Sequence, residues 1–273
     1  MIHRNIPVSG EALPAIGLGT WKTFDVGSEA AARAPLAEVL RRFFALGGRV
    51  IDSSPMYGRS ESVLGDLVAQ LSSSPRPFLA TKVWTTGRGR GEAQLRESLR
   101  RMHARHLDLL QVHNLLDWET HLPVLRACKE QGLVRYLGVT HYAPSAFPQL
   151  ERLLRTERLD FVQLPYSLGM REAEKRLLPA AAETGTAVLV MRPFEEGALF
   201  QAVRGRALPA WAGEAGAASW AQFFLNFILS HPAVTCVLPA SASPEHVTDN
   251  LGAGGDVLPG ERLRRRMVDE LRR

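Results

Sequence analysis

The sequence has only two cysteines, Cys128 and Cys236, and each lies in an apolar stretch. This excludes a disulfide framework and a CxxC pair of the kind that binds metal or exchanges thiols, so we expect no metal site. The sequence also lacks an unbroken apolar run of about 18 residues, the length that a membrane helix needs. A cationic N-terminal segment followed by a short apolar stretch is missing too. We therefore expect a soluble, cytoplasmic protein with no membrane partner.

Aromatic residues are scarce as well, at 7% of the sequence. The formal net charge is +5, which raises the question of a nucleic-acid partner. The arginines are scattered through amphipathic segments rather than interleaved with exposed aromatic residues, as they are in proteins that bind nucleic acids. The one dense group lies in a stretch of helical period and consists of Arg262, Arg264, Arg265 and Arg266 together with Arg272 and Arg273. Such a group is typical of a solvated helix face, and we expect no nucleic-acid partner.

Apolar material is plentiful: 45% of the 273 residues are hydrophobic and 22% are charged. A (β/α)₈ barrel of about 250 residues would use nearly the whole chain. Short runs rich in Val, Ile and Leu alternate with longer segments of helical period, and no Pro/Gly/Ser-rich linker interrupts them. The eight runs cover residues 16–20, 49–53, 78–83, 107–113, 135–140, 161–164, 187–191 and 234–239.

Eight βα units in one chain predict an α/β protein with a closed parallel barrel, a TIM barrel, rather than an open sheet. We expect residues 1–273 to form a single domain. Residues 2–14 precede the first unit and contain a turn signal at Ser9-Gly10. They are predicted to form a β-hairpin that closes the bottom of the barrel.

Polar residues at the ends of three neighbouring runs are the strongest functional signal. Parallel barrels place their chemistry at the C-terminal ends of the strands. Asp52 closes the second run, Lys82 the third and His113 the fourth, while Tyr57 lies in the loop after the second. We expect these four side chains to meet at the mouth of the barrel.

Each of the four also has a purely structural explanation. Asp52 could cap a helix, Tyr57 could anchor a loop, Lys82 could reach from a strand end to solvent, and His113 could bond the next loop. Together they favour general acid catalysis, because an ammonium at Lys82 would lower the pKa of the Tyr57 phenol. Asp52 would keep Lys82 charged, and His113 would orient a substrate oxygen or share the proton. This set suits protonation of a carbonyl oxygen.

A rival enzyme chemistry uses the same barrel lysine as a nucleophile. A desolvated Lys82 could attack a carbonyl and form a Schiff base, as in a lyase. Asp52 argues against this reading, because a carboxylate partner keeps the amine protonated.

The ordered motifs resemble those of the aldo/keto reductase family over essentially the whole chain. They are GLGTW (17–21), GGRVIDSSPMYGRSE (47–61), TK (81–82), DLLQVH (108–113), GLVRYLGVTHY (132–142), QLPYS (163–167) and LPASASPEHVTDN (238–250). The resemblance implies a (β/α)₈ barrel that binds NADP(H) without a Rossmann domain and reduces aldehydes or ketones by hydride transfer. It makes Tyr57 the general acid, assisted by Asp52, Lys82 and His113. It also allows a second class of function, a cofactor-binding regulatory subunit with little turnover.

The resemblance also implies which residues hold the cofactor. Thr140, His141 and Gln163 match positions that bond the nicotinamide carboxamide, and Met191 stands where a tyrosine often stacks on the nicotinamide. The loop over the pyrophosphate would include Phe194, Gly197 and Leu199, although Glu195 and Glu196 in the same loop would repel a pyrophosphate unless they point outward. The remaining predicted cofactor residues are Gly19, Thr20, Trp21, Arg192, Pro193, Pro239, Ser241, His246 and Asn250.

The segment expected to meet the adenosine end departs from the family pattern. Ala240 stands where NADPH-preferring members commonly have lysine, and His246 stands where they have arginine. Ser241 and Asn250 could bond the 2′-phosphate, helped by the amides of a helix that begins at Pro244. We therefore expect NADP(H) as the cofactor, with NAD(H) as a real alternative.

Several large apolar side chains are predicted to form the substrate pocket for a small carbonyl compound. They follow or lie near the ends of the first four strands: Trp21, Met56, Trp84 and Trp118. Only 23 residues follow Asn250, so we expect no long C-terminal loop over the pocket. The sequence predicts an open pocket in a monomeric protein.

Overall fold

A computed structural model describes residues 1–71 and 75–272. The strands are β1 (His3–Asn5), β2 (Ala12–Pro14), β3 (Leu18–Gly19), β4 (Val50–Asp52), β5 (Phe78–Val83), β6 (Leu107–His113), β7 (Val134–Thr140), β8 (Phe161–Pro165), β9 (Ala187–Met191) and β10 (Val234–Val237). The α-helices are α1 (Ala30–Ala45), α2 (Ser60–Gln70), α3 (Arg88–Arg101), α4 (Trp118–Glu130), α5 (Phe147–Thr156), α6 (Leu177–Thr184), α7 (Ala198–Ala202), α8 (Trp220–Leu229), α9 (Pro244–Leu251) and α10 (Glu261–Leu271).

The strands β3 to β10 form one parallel sheet in chain order. Two further parallel bridges, Ile16 to Val237 and Gly19 to Ala240, join the first strand segment to the last. The sheet therefore closes on itself, and the predicted (β/α)₈ barrel is confirmed. The strands at this seam, β3 and β10, are shorter than the predicted runs 16–20 and 234–239, and their contact consists of isolated bridges.

The predicted N-terminal hairpin is also present. Strands β1 and β2 pair antiparallel. The side chain of Ile6, which follows β1, and that of Leu13 on β2 are fully buried. Both join the buried cluster that contains Val50, Phe78 and Phe161, which are the first residues of β4, β5 and β8. The hairpin thus covers the end of the barrel where the strands begin.

Polar contacts hold the hairpin to the barrel. Arg135 on β7 forms ion pairs with Glu11 and with the buried Asp108, and the Tyr136 hydroxyl donates to Glu11 at 2.9 Å. Burial favours the neutral carboxyl of Glu11, but Arg135 and Tyr136 outweigh it and keep the pKa below its ordinary value. The folded state therefore stabilises the ionised form of Glu11.

We expect Glu11→Gln to lower the free energy of unfolding by about 0.5 to 1 kcal/mol at neutral pH, the usual size for a partly exposed ion pair. A carboxyl whose pKa is lowered in the folded state stabilises the protein at a pH above its ordinary pKa. This stabilisation is lost as the pH falls through the folded-state pKa. The difference between wild type and variant should therefore shrink below about pH 4. Urea unfolding across this range measures it, with the exposed Glu119→Gln on α4 as the control. A difference that persists in acid would contradict the assignment.

Helices cover the outside of the barrel with one apolar face each. In α5 the buried apolar positions are Phe147, Leu150, Leu153 and Leu154, the spacing of a helix with a single packed stripe. Helix α8 is buried over nearly its whole length, because other segments cover it as well. Within residues 1–71 and 75–272, none of the helices combines the length and hydropathy needed to cross a bilayer.

Candidate active site

The four predicted catalytic residues converge at the C-terminal end of the strands. The ammonium of Lys82 on β5 donates to Asp52 Oδ2 at 2.6 Å and to the Ser53 carbonyl oxygen at 2.7 Å. Lys82 Nζ lies 5.2 Å from the centre of the Tyr57 ring, and the Tyr57 and His113 rings meet edge to face at 6.0 Å. Asp52 and His113 are the last residues of β4 and β6, so neighbouring strands bring the set together.

Lys82 is a charged group in a buried place. Its side chain is 1% exposed, and burial alone would lower its pKa, but the charge of Asp52 and the nearby Tyr57 raise the pKa above its ordinary value. The lysine is therefore held as an ammonium. A Schiff-base nucleophile needs the neutral amine, so this geometry disfavours the lyase reading.

The pKa of Tyr57 differs from the sequence-based prediction. Burial raises it most, and the charge of Asp52 raises it further, while Lys82 lowers it. Lys82 therefore lowers the phenol pKa as predicted, but the net shift is upward, which the sequence did not predict. Burial outweighs the ammonium, and Tyr57 stays protonated at neutral pH, which is the form that a proton donor needs.

His113 is a neutral imidazole. Burial lowers its pKa most, and the nearby charges of Lys82 and His141 lower it further, to about 3. Its Nδ1 lies 3.1 Å from the hydroxyl of the buried Ser54. A neutral imidazole carries one N–H, so His113 can donate a single hydrogen bond.

Two buried glutamines surround the Asp52 carboxylate. Gln163 Nε2 donates to Asp52 Oδ2 at 3.1 Å, and Gln111 Nε2 lies 3.4 Å from Asp52 Oδ1 and 3.3 Å from Gln163 Oε1. Gln163 was predicted as a cofactor residue, whereas the sequence analysis missed Gln111. The signal was present, since Leu109, Gln111 and His113 alternate along β6 and such positions share one face.

A cavity of about 580 Å³ opens beside these residues. The predicted residues that line it are Gly19, Thr20, Trp21, Asp52, Met56, Tyr57, Lys82, His113, Gln163, Met191, Arg192, Pro193, Phe194 and Gly197. The lining residues that the prediction did not include are Lys22, Asn114, Tyr142, Glu196, Phe200, Leu238 and Ala240. One cavity therefore joins the predicted catalytic, cofactor and substrate residues.

Two predicted pocket tryptophans, Trp84 and Trp118, lie outside the residues that line this cavity. So do seven predicted cofactor residues: Thr140, His141, Leu199, Pro239, Ser241, His246 and Asn250. The Trp84 ring is 6.4 Å from the His113 ring and is 42% exposed, so it stands at the rim. Trp118 is the first residue of α4 and packs against the helical core, and Leu199 on α7 is buried in the same core. Their places favour roles in packing rather than direct contact.

The loop after β9 carries both unexpected glutamates. Arg192, Glu195 and Glu196 all have positive φ, between 51° and 55°, a conformation that costs a non-glycine residue on the order of 1 kcal/mol. Glu196 lines the cavity and pairs with Arg192 and, at 3.2 Å, with Lys22. Two cations thus neutralise Glu196. Its carboxylate faces the cavity, but with its charge balanced it does not repel a pyrophosphate there.

Glu195 is satisfied in a different way, since the Ser167 hydroxyl donates to its Oε1. The loop 192–197 is therefore held on one side by Lys22, across the cavity, and on the other by the segment after β8. Gly197 completes the turn with a φ of 99°, and the space beside its Cα is open.

The segment predicted to meet the adenosine end follows β10. Ala240 is exposed, and α9 begins at Pro244 as predicted, with Ser243 Oγ accepting from the His246 amide at 3.3 Å. The Ser241 hydroxyl is engaged locally, donating to the Ser243 carbonyl at 3.1 Å. Pro239 precedes Ala240 in this segment, and Asn250 is buried in α9.

A cation from another helix reaches this segment. Arg42 Nη1 on α1 lies 3.3 Å from Glu245 Oε1 in the first turn of α9. Sequence spacing gave no sign of this pair, because 203 positions separate the two residues (245 − 42). In the part of the chain that the structure describes, no cluster of three or more His, Cys, Asp or Glu side chains could hold a metal ion.

Comparisons with known proteins agree with this arrangement. A family model described as the aldo/keto reductase family matches residues 15–266. The chain is 30% identical over 258 residues to methylglyoxal reductase YeaE of Escherichia coli K12, an alignment that covers 92% of this chain and 89% of that protein.

Solved structures resemble the whole chain. The structure of an aldo-keto reductase from Klebsiella pneumoniae in complex with NADPH matches with a TM-score of 0.82 and 28% identity, covering 99% of this chain and 95% of that one. Another structure of a Klebsiella pneumoniae aldo/keto reductase, in complex with NADP and acetate, matches with a TM-score of 0.78 and 28% identity over 96% and 92% of the two chains.

Proposed function

The chain belongs to the aldo/keto reductase family, and from that premise we propose that it reduces aldehydes or ketones to alcohols with NADPH. The observation that carries the proposal is the contact of Asp52, Lys82, Tyr57 and His113 at the wall of one cavity. A charged lysine, a protonated phenol and a neutral imidazole are the groups that protonation of a carbonyl oxygen requires.

Each residue has one task in this reaction. The Tyr57 hydroxyl gives its proton to the carbonyl oxygen as negative charge develops there, and the Lys82 ammonium stabilises the phenolate that remains. Asp52 keeps Lys82 charged, and His113 donates a hydrogen bond to the same oxygen. Bound NADPH supplies the hydride to the carbonyl carbon. The substrate gains one hydride and one proton, which gives the alcohol.

The residues around the cavity fit a dinucleotide. Thr140 Oγ1 is buried and has no hydrogen-bond partner among the described residues, which suits a carboxamide at the position that the resemblance implies. A Cβ at Gly19 would lie 3.3 Å from the Leu238 carbonyl oxygen and 3.6 Å from the Ala240 Cβ. Glycine at this position therefore leaves that space to the cavity. The His141 Nδ1 accepts from the Ala143 amide at 3.0 Å, which leaves Nε2 for a cofactor contact.

The substrate would enter over an apolar rim. Trp21, Met56, Tyr142 and Phe200 line the cavity and are each more than one third exposed. Exposed aromatic side chains of this size favour apolar or aryl carbonyl compounds. Steady-state oxidation of NADPH with a panel of aldehydes tests the function directly. Tight NADPH binding without turnover of any aldehyde would contradict the reductase function and favour the alternative, a cofactor-binding regulatory subunit.

Cofactor selectivity gives a separate prediction. We expect Ala240→Lys to tighten NADPH binding about tenfold, because a new charge-assisted bond to the 2′-phosphate can form at an exposed position. NADH lacks that phosphate, so its dissociation constant should barely change. Fluorescence titration with both cofactors measures this, and Ala218→Lys, an exposed alanine outside the cavity, controls for added charge.

The alternative outcome is informative about Arg42. If wild-type protein already binds NADPH far more tightly than NADH, and Ala240→Lys changes neither constant, another cation holds the phosphate. Arg42 is the arginine that the structure brings to the first turn of α9, and Arg42→Met would then be the variant that weakens NADPH binding.

A further inference from the structure

The hydroxyl of Ser54 is the one polar side-chain contact of His113 among the described residues. Ser54 lies two residues after β4, is fully buried, and its Oγ is 3.1 Å from His113 Nδ1. Its carbonyl oxygen accepts the Tyr57 amide at 3.0 Å. One residue thus contacts the imidazole through its side chain and the backbone of Tyr57 through its carbonyl.

The direction of the hydroxyl bond follows from the other contact of the same oxygen. Ser54 Oγ accepts a hydrogen bond from the Met56 amide at 3.4 Å. A hydroxyl has one proton to donate, and His113 Nδ1 is the acceptor within reach. Donation to Nδ1 is the arrangement that uses the serine proton, and in it Nδ1 is the unprotonated nitrogen.

We propose that Ser54 is a positioning residue that fixes His113 in the tautomer with its proton on Nε2. Because the imidazole is neutral, the proton can sit on only one nitrogen, and its place decides whether the ring donates or accepts at the cavity. With Nδ1 taken by Ser54, Nε2–H is the group left to donate to a substrate carbonyl oxygen. The proposal rests on the proposed function for the identity of that oxygen, but the tautomer itself does not depend on it.

Nitrogen-15 NMR of histidine-labelled protein at neutral pH reads the tautomer without any turnover. The His113 signals are assigned by their loss in His113→Gln. We expect wild type to show a protonated Nε2 and an Nδ1 that accepts a hydrogen bond, and Ser54→Ala to shift the Nδ1 signal. Ser98→Ala, which removes another buried serine hydroxyl on α3, should leave both signals in place.

Kinetics provide the second reading. Ser54→Ala should lower kcat about fivefold to tenfold, the usual effect of one hydrogen bond, while the dissociation constant of NADPH stays within about twofold. In a His113→Gln background the same substitution should cost less than about twofold, since the serine acts through the histidine. The Ser54 carbonyl remains in the variant, so its hydrogen bond from the Tyr57 amide is kept.

The outcomes separate the two proposals. A proton on Nδ1 in wild type, or signals that do not move in Ser54→Ala, would overturn the role of Ser54 whatever the activity. An equal kinetic loss with and without His113 would also overturn it. Absence of turnover in wild type, with the NMR result as expected, would instead count against the reductase function alone.

Discussion

Tyr57→Phe is expected to lower kcat by about 10²- to 10⁴-fold, the range that loss of a general acid produces. The substitution removes one oxygen and leaves the ring that packs edge to face on His113. Because the phenol hydroxyl acts on the substrate oxygen and contributes little binding surface, the dissociation constant of NADPH should stay nearly unchanged. Steady-state kinetics with fluorescence titration of the cofactor measure both quantities.

Tyr136→Phe is the matched control for this variant. Tyr136 lies at the other end of the barrel, where its hydroxyl bonds Ser9 and Glu11. Removing that oxygen should cost some stability and leave kcat as it was. Full activity in Tyr57→Phe would mean that another group protonates the substrate, and His113 would be the next to test.

The positions of the strands were predictable from sequence because the barrel is buried on both faces. Continuous apolar runs such as 78–83 and 107–113 match β5 and β6 residue for residue. Residues at the ends of neighbouring parallel strands must meet, so Asp52, Lys82 and His113 could be grouped without coordinates.

Contacts that depend on distance and burial could not be predicted in this way. The upward pKa shift of Tyr57 arises because burial outweighs the ammonium, and a sequence shows the charge but not the depth. Glu196 looked unfavourable until the structure placed Lys22 3.2 Å away. The Ser54–His113 and Arg42–Glu245 contacts join residues 59 and 203 positions apart (113 − 54 and 245 − 42), for which no motif spacing exists.

Lys82→Met should lower both the activity and the stability of the protein, because the lysine serves both the reaction and the fold. Loss of its charge removes the stabilisation of the Tyr57 phenolate, and we expect kcat to fall about 10²- to 10³-fold. Removing one partner of a buried ion pair also leaves Asp52 uncompensated, which costs about 3 to 5 kcal/mol of unfolding free energy. The rate is therefore measured only where the variant remains folded by circular dichroism.

The pH profile distinguishes an electrostatic role from a merely structural one. In the wild-type protein Lys82 lowers the pKa of the Tyr57 phenol, whereas burial and the charge of Asp52 both raise it. Without the ammonium the pKa of Tyr57 must rise. A general acid works while protonated, so the alkaline limb of the reduction rate should move to higher pH as the rate falls.

Two further variants isolate the charge. Lys129→Met breaks another lysine–aspartate pair, to Asp160 at 2.5 Å on the outside of the barrel, and should keep the wild-type pH profile. Asp52→Asn combined with Lys82→Met removes both buried charges, so stability should largely return while the rate does not. If the double variant regains activity together with stability, or if Lys82→Met lowers the rate without moving the alkaline limb, Lys82 supports the fold and another group sets the acidity of Tyr57.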